Sequence, residues 1–303
     1  MTPAARGAEC CLVQLEVQLF GWRYRLSSCM SAFRISRSSV LAVLLSLSIA
    51  AAMPACSEGG GVNLFTIEDD KALGAQIAAE ITENTAAFPI LDSLEYARVY
   101  ASLYALRDVI LESGQVTHAQ DFQWQIRVID NDTVINAFCT PGGYIYVYTG
   151  LLRYLDDMSQ LAGVMAHEMA HADLRHSTDQ LTTAYGIHFL LNLVMGENRN
   201  MITDIATGLS QLAFSRSDES QADAYAVRYL CSSSYAADGS AVFFERMQTT
   251  EGDAAVPEFL STHPSPSNRA ERIREQKQKM GCAGANADMD TYTGMLKALP
   301  PKK

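Results

Sequence analysis

The sequence predicts an α+β domain, mostly helical, in which a small β-sheet lies beside a helix carrying two histidines. Three observations predict it. Apolar residues recur at three- and four-residue steps over Asp69–Glu83 and Tyr96–Glu112, as on helices with one buried face. Midway the period changes to two, which marks strands. Soon after, His167-Glu-Met-Ala-His171 puts two imidazoles on one face of a helix.

The first helical stretch covers residues 64 to about 114. Asp69 to Glu83 carries Leu73, Ile77 and Ile81, and Tyr96 to Glu112 carries Val99, Leu103, Leu106 and Ile110. In Asp121 to Asp130, Phe122, Trp124, Ile126 and Val128 alternate with Gln123, Gln125 and Arg127, which predicts a half-buried strand. Asn131-Asp132 and Pro141-Gly142-Gly143 read as turns, and Tyr144-Ile-Tyr-Val-Tyr148 is rich in residues that favour strands. Helices resume at Asp157, where Gln160 three residues on suits a capping box. An apolar helix follows over about Tyr185 to Met195; its eleven residues suit a buried core helix and are too few to cross a bilayer of about 30 Å. A third helix is expected from Ile202 to Leu230 with a break near Ser215, then Ala241 to Thr249. Pro264 and Pro266 interrupt the chain before a charged helix over Asn268 to Met280. Asp288 onward reads as a short closing helix or a fraying end. Gly196–Thr203 is a candidate lid by position and polarity.

Composition sets the outer limits. The chain has 303 residues, 48% hydrophobic and 19% charged, which is globular. A formal charge of −11 repels phosphate backbones and argues against a nucleic-acid partner. The first 56 residues differ, with five Arg against two acids. Arg34-Ile-Ser-Arg37 runs into a thirteen-residue apolar stretch, Val40 to Ala52, which reads as a secretory signal with its true start at Met30. The signal ends in Met53-Pro-Ala-Cys56. Two readings of Cys56 stand: a lipidated mature N-terminus, as in a bacterial lipobox, or an incidental residue after ordinary cleavage. The organisation expected is a leader over 1–55, a tether over 56–63, a catalytic domain over 64–283 and a C-terminal tail over 284–303. Cys139, Cys231 and Cys282 remain; Cys231 and Cys282, both at predicted helix ends, are the candidate pair, though three pairings are open.

The histidine pair carries the chemistry. Two His at i and i+4, with Cβ atoms about 6 Å apart, can converge on one ion, and Glu168 can approach the ion's open position and take a proton from water. A catalytic site needs a third protein ligand. The extended HExxHxxGxxH pattern fails, because position 174 is Leu. Glu219 and Asp223, four apart in a predicted helix, are the candidates, one for the metal and one to support a ligand histidine. The competing reading is a solvated acidic helix face. A structural zinc site is disfavoured, since it wants four closed Cys/His ligands.

Four ordered blocks carry a resemblance: Asn136 through Leu152, His167 through His176, Ser215 through Asp223, and Phe259 through Arg269. Together the chain resembles the HtpX-like and CAAX-prenyl-protease-like gluzincin zinc metallopeptidases, across about Ala72 to Met280. The resemblance implies a zincin-like fold, one Zn2+ held by His167, His171 and Glu219, Glu168 as catalytic base and Asp223 behind the ligands. It puts His263 near the cleft, either polarising the substrate carbonyl or ordering its loop. It reads Asn136, Tyr144 and Tyr146 as part of an edge strand that pairs with an extended substrate. Two departures stand out, Cys139 in place of a small apolar residue and Gln221 where an acid is commoner. The implied function is a metalloendopeptidase, exported and lipid-anchored through Cys56 to the outer membrane. Its partners would be unfolded or misassembled envelope proteins. A chaperone-like assembly factor with little proteolysis is the alternative. The other histidines have blander expectations: His118 and His188 structural, His176 ordering a helix end.

Overall fold

The computed structural model describes residues 65–195, 200–209, 212–249, 257–264 and 268–302. The leader, Met30, the candidate anchor Cys56, the whole tether, Pro266 and residues 196–199 of the candidate lid lie outside the described residues. Those described fall in one compact unit, Cys56–Lys303.

Helix α1 (Ile67–Glu83) opens with a full capping box between Thr66 and Asp69, and α2 (Ala97–Glu112) follows. Strands β1 (Gln125–Ile129), β2 (Ala137–Thr140) and β3 (Tyr144–Tyr148) form a three-stranded sheet of order β1-β3-β2. β1 runs parallel to β3 and β2 antiparallel to it. The β2–β3 turn needs two left-handed residues, Gly142 (φ 75°) and Gly143 (φ 83°), and at Gly143 a Cβ would lie 2.9 Å from Phe122. α3 (Thr149–Tyr154) leads to α4 (Met158–Asp173), which carries the two histidines. Then come α5 (His176–Tyr185), α6 (Ile187–Val194), α7 (Asn200–Gly208), α8 (Arg216–Leu230), α9 (Gly239–Thr249), α10 (Pro257–Thr262), α11 (Arg269–Met280) and α12 (Met289–Leu296). None of the described helices is long and apolar enough to cross a membrane.

The sheet divides two cores. Successive residues of a strand face opposite sides, so Ala137, Cys139, Ile145 and Val147 join the larger core with α2, α4, α8, α9 and α12. Phe138, Tyr146 and Tyr148 face the smaller core with α1, α6 and α7. Every residue of α4 is buried, and α8, α9 and β2 pack around it. Gly163 permits this closeness: a Cβ there would sit 2.4 Å from the backbone nitrogen of Ser240.

Several expectations need correction. β1 starts at Gln125, because Trp124 adopts φ 44° and leaves the extended region. The α4 cap is one-sided: Asp157 accepts from Gln160 N (2.8 Å), but the Gln160 side chain accepts from Asp156 N instead. The helix expected over Tyr185–Met195 is preceded by α5 and separated from it by Gly186 at φ 83°; in α6 Leu190 and Leu193 are fully buried, and Ile187, Phe189, Leu191 and Val194 are partly buried against the smaller core. The break near Ser215 is real, since Ser215 caps α8 with Asp218. The segment set apart as a tail packs into the larger core: Tyr292 is buried and its hydroxyl donates to the carbonyls of Leu152 (2.6 Å) and Leu155 (3.0 Å).

Cys231 and Cys282 form a disulfide across a separation of 51 residues, tying the end of α8 to the end of α11. Cys139 is free and buried. Closing a loop of that length removes about 4 kcal/mol of unfolded-chain entropy. Replacing both cysteines with Ser is therefore expected to lower unfolding stability by about 2–4 kcal/mol, read by chemical denaturation.

Candidate active site

Helix α4 supplies His167, Glu168 and His171; α8 supplies Glu219 and Asp223; the residue after α10 supplies His263; and α11 begins with Arg269. All are buried. The Nε2 atoms of His167 and His171 are 3.0 Å apart. Glu219 reaches both, with Oε2 3.5 Å from His167 Nε2 and Oε1 3.2 Å from His171 Nε2. His263 Nδ1 lies 3.0 Å from Glu219 Oε1 and 3.4 Å from His167 Nε2. Donor atoms of His167, His171, Glu219 and His263 all fall within 4.8 Å of one another, a group able to hold a metal ion.

The outward faces of the histidines are already engaged. Asp223 Oδ1 is 3.0 Å from His167 Nδ1 and accepts a hydrogen bond from it, so Nε2 is the nitrogen turned toward the cluster. His171 Nδ1 lies 3.1 Å from His176 Nδ1, and His176 Nε2 lies 2.8 Å from Gln221 Oε1. The His171 ring stacks on Phe214 (3.7 Å between centroids) and the His263 ring on Phe259 (4.4 Å). Arg269 grips Asp223 through Nε (2.8 Å) and Nη2 (2.7 Å), sits 2.9 Å from Glu219 Oε2, and lies over the Phe244 ring at 3.5 Å.

Charge follows from this packing. Burial opposes ionisation of Glu219, but His263, Arg269 and His167 outweigh it and hold the carboxyl well below its ordinary range. Asp223 is likewise lowered: burial works against its ionisation, and Arg269 and His167 prevail. Burial alone dominates at Glu168 and pushes it up to about 7. Neither Glu168 oxygen has a hydrogen-bond partner among the described residues; His263 Nε2 stands 3.5 Å from Oε1, and that nitrogen is also unpartnered. Burial also lowers His171 well below its ordinary value and lowers His176, so both are neutral imidazoles near pH 7.

This donor set fits a divalent cation. The Nε2 atoms of His167 and His171 converge to 3.0 Å with a Glu219 oxygen 3.2 Å from the second, the arrangement of ligands gathered around one ion. Glu219, a buried carboxylate held in its ionised form, lies among nitrogen donors within 4.8 Å of one another, a setting that favours a cation. Imidazole nitrogens with one carboxylate oxygen are the ligands zinc prefers.

The structure thus brings Glu168, His167, His171, Glu219, Asp223 and His263 together. It does not bring Tyr144 and Tyr146 with them. β3 is the central strand, so its backbone is paired on both sides and cannot accept a substrate strand. By alternation Tyr144 and Tyr146 face the smaller core, away from α4; Tyr146 is 1% exposed and stacks on Phe138 at 4.7 Å. The edge strand beside α4 is β2, which starts next to Asn136; that side chain is fully buried and accepts from Ala137 N (2.9 Å). His176 is a hydrogen-bond partner of His171, not a cation at a helix end. Arg269 escaped sequence reasoning, because α11 holds other basic residues and composition does not distinguish the one that is buried.

The fold and this donor set define a zincin-like metallopeptidase domain. The model of peptidase family M48 matches residues 103–277, and the chain belongs to that family. Among curated proteins it is 30% identical over 191 residues to metalloendopeptidase OMA1, mitochondrial, of Bos taurus, covering 57% of this chain and 36% of that one. To mitochondrial metalloendopeptidase OMA1 of Schizosaccharomyces pombe it is 30% identical over 195 residues, covering 61% and 55%. To the beta-barrel assembly-enhancing protease of Escherichia coli it is 29% identical over 200 residues, covering 61% and 41%. The chain therefore spans well under two thirds of each of these relatives.

Proposed function

We propose that this chain is a zinc-dependent endopeptidase that cleaves unfolded or misassembled proteins of the cell envelope. The observation that carries the proposal is the juxtaposition of Glu219 with the imidazole pair, 3.2 and 3.5 Å away, beside an unpartnered Glu168. His167, His171 and Glu219 would hold the metal. When bound there, zinc would lower the pKa of water toward about 7 and polarise a carbonyl.

This chain's own residues do the rest. Glu168, with both oxygens bare, accepts a proton at Oε and returns it to the leaving amine. Asp223 fixes the His167 tautomer, and Arg269 holds Asp223 in place. His263 Nε2 has no hydrogen-bond partner among the described residues and lies 3.5 Å from Glu168, so we assign it to the substrate side of the site. The substrate backbone would lie along β2, the edge strand beside α4. Backbone pairing reads side chains weakly, which suits broad cleavage of unstructured chains.

The finer placement is also our reading. The HtpX-like branch, export and anchoring through Cys56 rest on the basic-apolar leader and its Met53-Pro-Ala-Cys56 end. The Cys231–Cys282 disulfide fits an oxidising compartment. The beta-barrel assembly-enhancing protease among the relatives supports a role at the outer membrane.

The test is digestion of casein by the purified protein. A chelator is expected to stop cleavage, and stoichiometric zinc to restore it. Cleavage undiminished after metal removal, with no zinc bound, would sink the proposal. Binding of unfolded envelope proteins without cleavage would favour the chaperone-like alternative.

A further inference from the structure

We propose that His176 and Gln221 are positioning residues that hold His171 in one tautomer, its Nε2 lone pair presented to the metal, and so set the affinity of the site for zinc. The inference rests on the metal reading above.

The geometry begins at the end of α4. Leu174 caps the helix and Arg175 turns the chain through φ 63°. That left-handed turn is anchored from α1: Arg175 Nε donates to Asp70 Oδ2 (2.6 Å) and Nη2 to the Phe65 carbonyl (2.6 Å). The reversal brings His176, five residues after His171, back to 3.1 Å from its Nδ1. From the opposite side α8 contributes Gln221, between Glu219 and Asp223, with Oε1 2.8 Å from His176 Nε2.

With the Gln221 oxygen facing His176, proton counting along this chain has one outcome. An amide oxygen only accepts, so His176 Nε2 carries a proton and donates it to Gln221. The neutral His176 ring then has a bare Nδ1, which accepts from His171 Nδ1–H. His171 is left with an unprotonated Nε2 on the face shared with His167 and Glu219. Reversing the Gln221 amide would reverse every bond in the series and put a proton on His171 Nε2, where a ligand lone pair is needed. His167 is fixed by a carboxylate, Asp223. His171 is fixed by a neutral imidazole and an amide, so its orientation depends on both links.

The test measures zinc affinity of the purified chain by competition with a fluorescent chelator, beside the melting temperature of the metal-free protein. Gln221→Leu keeps side-chain bulk and removes the acceptor; His176→Phe keeps a ring and removes both nitrogens. Each is expected to raise the zinc Kd about 10- to 100-fold. The metal-free melting temperature reads the loss of the buried hydrogen bond by itself, so a fall in zinc affinity is separated from a fall in stability. Gln221→Glu, which always accepts, should retain wild-type affinity. Equal Kd values for wild type and Gln221→Leu would overturn the proposal, as would Gln221→Glu binding as weakly as Gln221→Leu. Should His176→Phe fail to fold, the two Gln221 variants decide. A wild-type chain that binds no zinc would instead remove the metal reading, and this inference with it.

Discussion

Replacing Glu168 with Gln is expected to lower kcat/KM on an unstructured protein substrate by about 10²–10⁴-fold while zinc stays bound. The carboxylate is the one buried acid in the cluster with no hydrogen-bond partner among the described residues, so Gln fills its place without breaking a bond. Gln cannot accept the proton, and the reaction loses its base. Metal content should hold, because His167, His171 and Glu219 are untouched. Unchanged proteolysis would refute the assignment. The same variant has a second readout in the metal-free protein. Burial raises Glu168 to about 7 from an ordinary value near 4.5. The folded state therefore keeps a proton that the unfolded chain releases as pH rises from about 4.5 to 7, and wild-type stability falls across that window. The Glu168→Gln variant has nothing to ionise at this position. At pH 8 the metal-free variant should be more stable than wild type by an amount on the order of 3 kcal/mol, and at pH 4 equal to it. Denaturant titrations at the two pH values measure the difference.

Arg269→Met is expected to destabilise the fold by about 3–5 kcal/mol and to weaken zinc binding. Arg269 is fully buried, makes a two-pronged bond to Asp223 and stands 2.9 Å from Glu219. Met restores the volume over the Phe244 ring but leaves two buried carboxylates short of a cation. Arg269→Lys should rescue little, since an ammonium cannot reproduce the two parallel bonds. Chemical denaturation and zinc competition on the three proteins check this. A stability loss under about 1 kcal/mol for Arg269→Met would show that Asp223 and Glu219 do not depend on it.

Much of the architecture was legible in the chain because periodicity is a local property. The Leu73, Ile77, Ile81 series marks α1 and the Val99 to Ile110 series marks α2, and all seven residues are buried. Ser215 with Asp218 signals the α8 start through side-chain chemistry confined to four residues. Strand order is not local. Tyr144–Tyr148 reads as a strand from composition, yet whether it lies at the edge or the centre depends on which strands pair with it. The parallel β1–β3 pairing encloses β3, and that one fact leaves β1 and β2 as the edges of the sheet.

By itself the sequence determined the pairing of His167 with His171 and the nearness of Glu168, since helical spacing places them. It also determined that Glu219 and Asp223 share a helix face. Only the tertiary structure decided that α8 lies against α4 so that Glu219 meets the imidazoles, and that His263, His176 and Arg269 close around them. The physical reason is range. A helix fixes neighbours three and four residues apart, whereas the contacts from His167 to Glu219, His263 and Arg269 span tens of residues and exist only once the apolar faces of α4, α8, α9 and α11 have packed together.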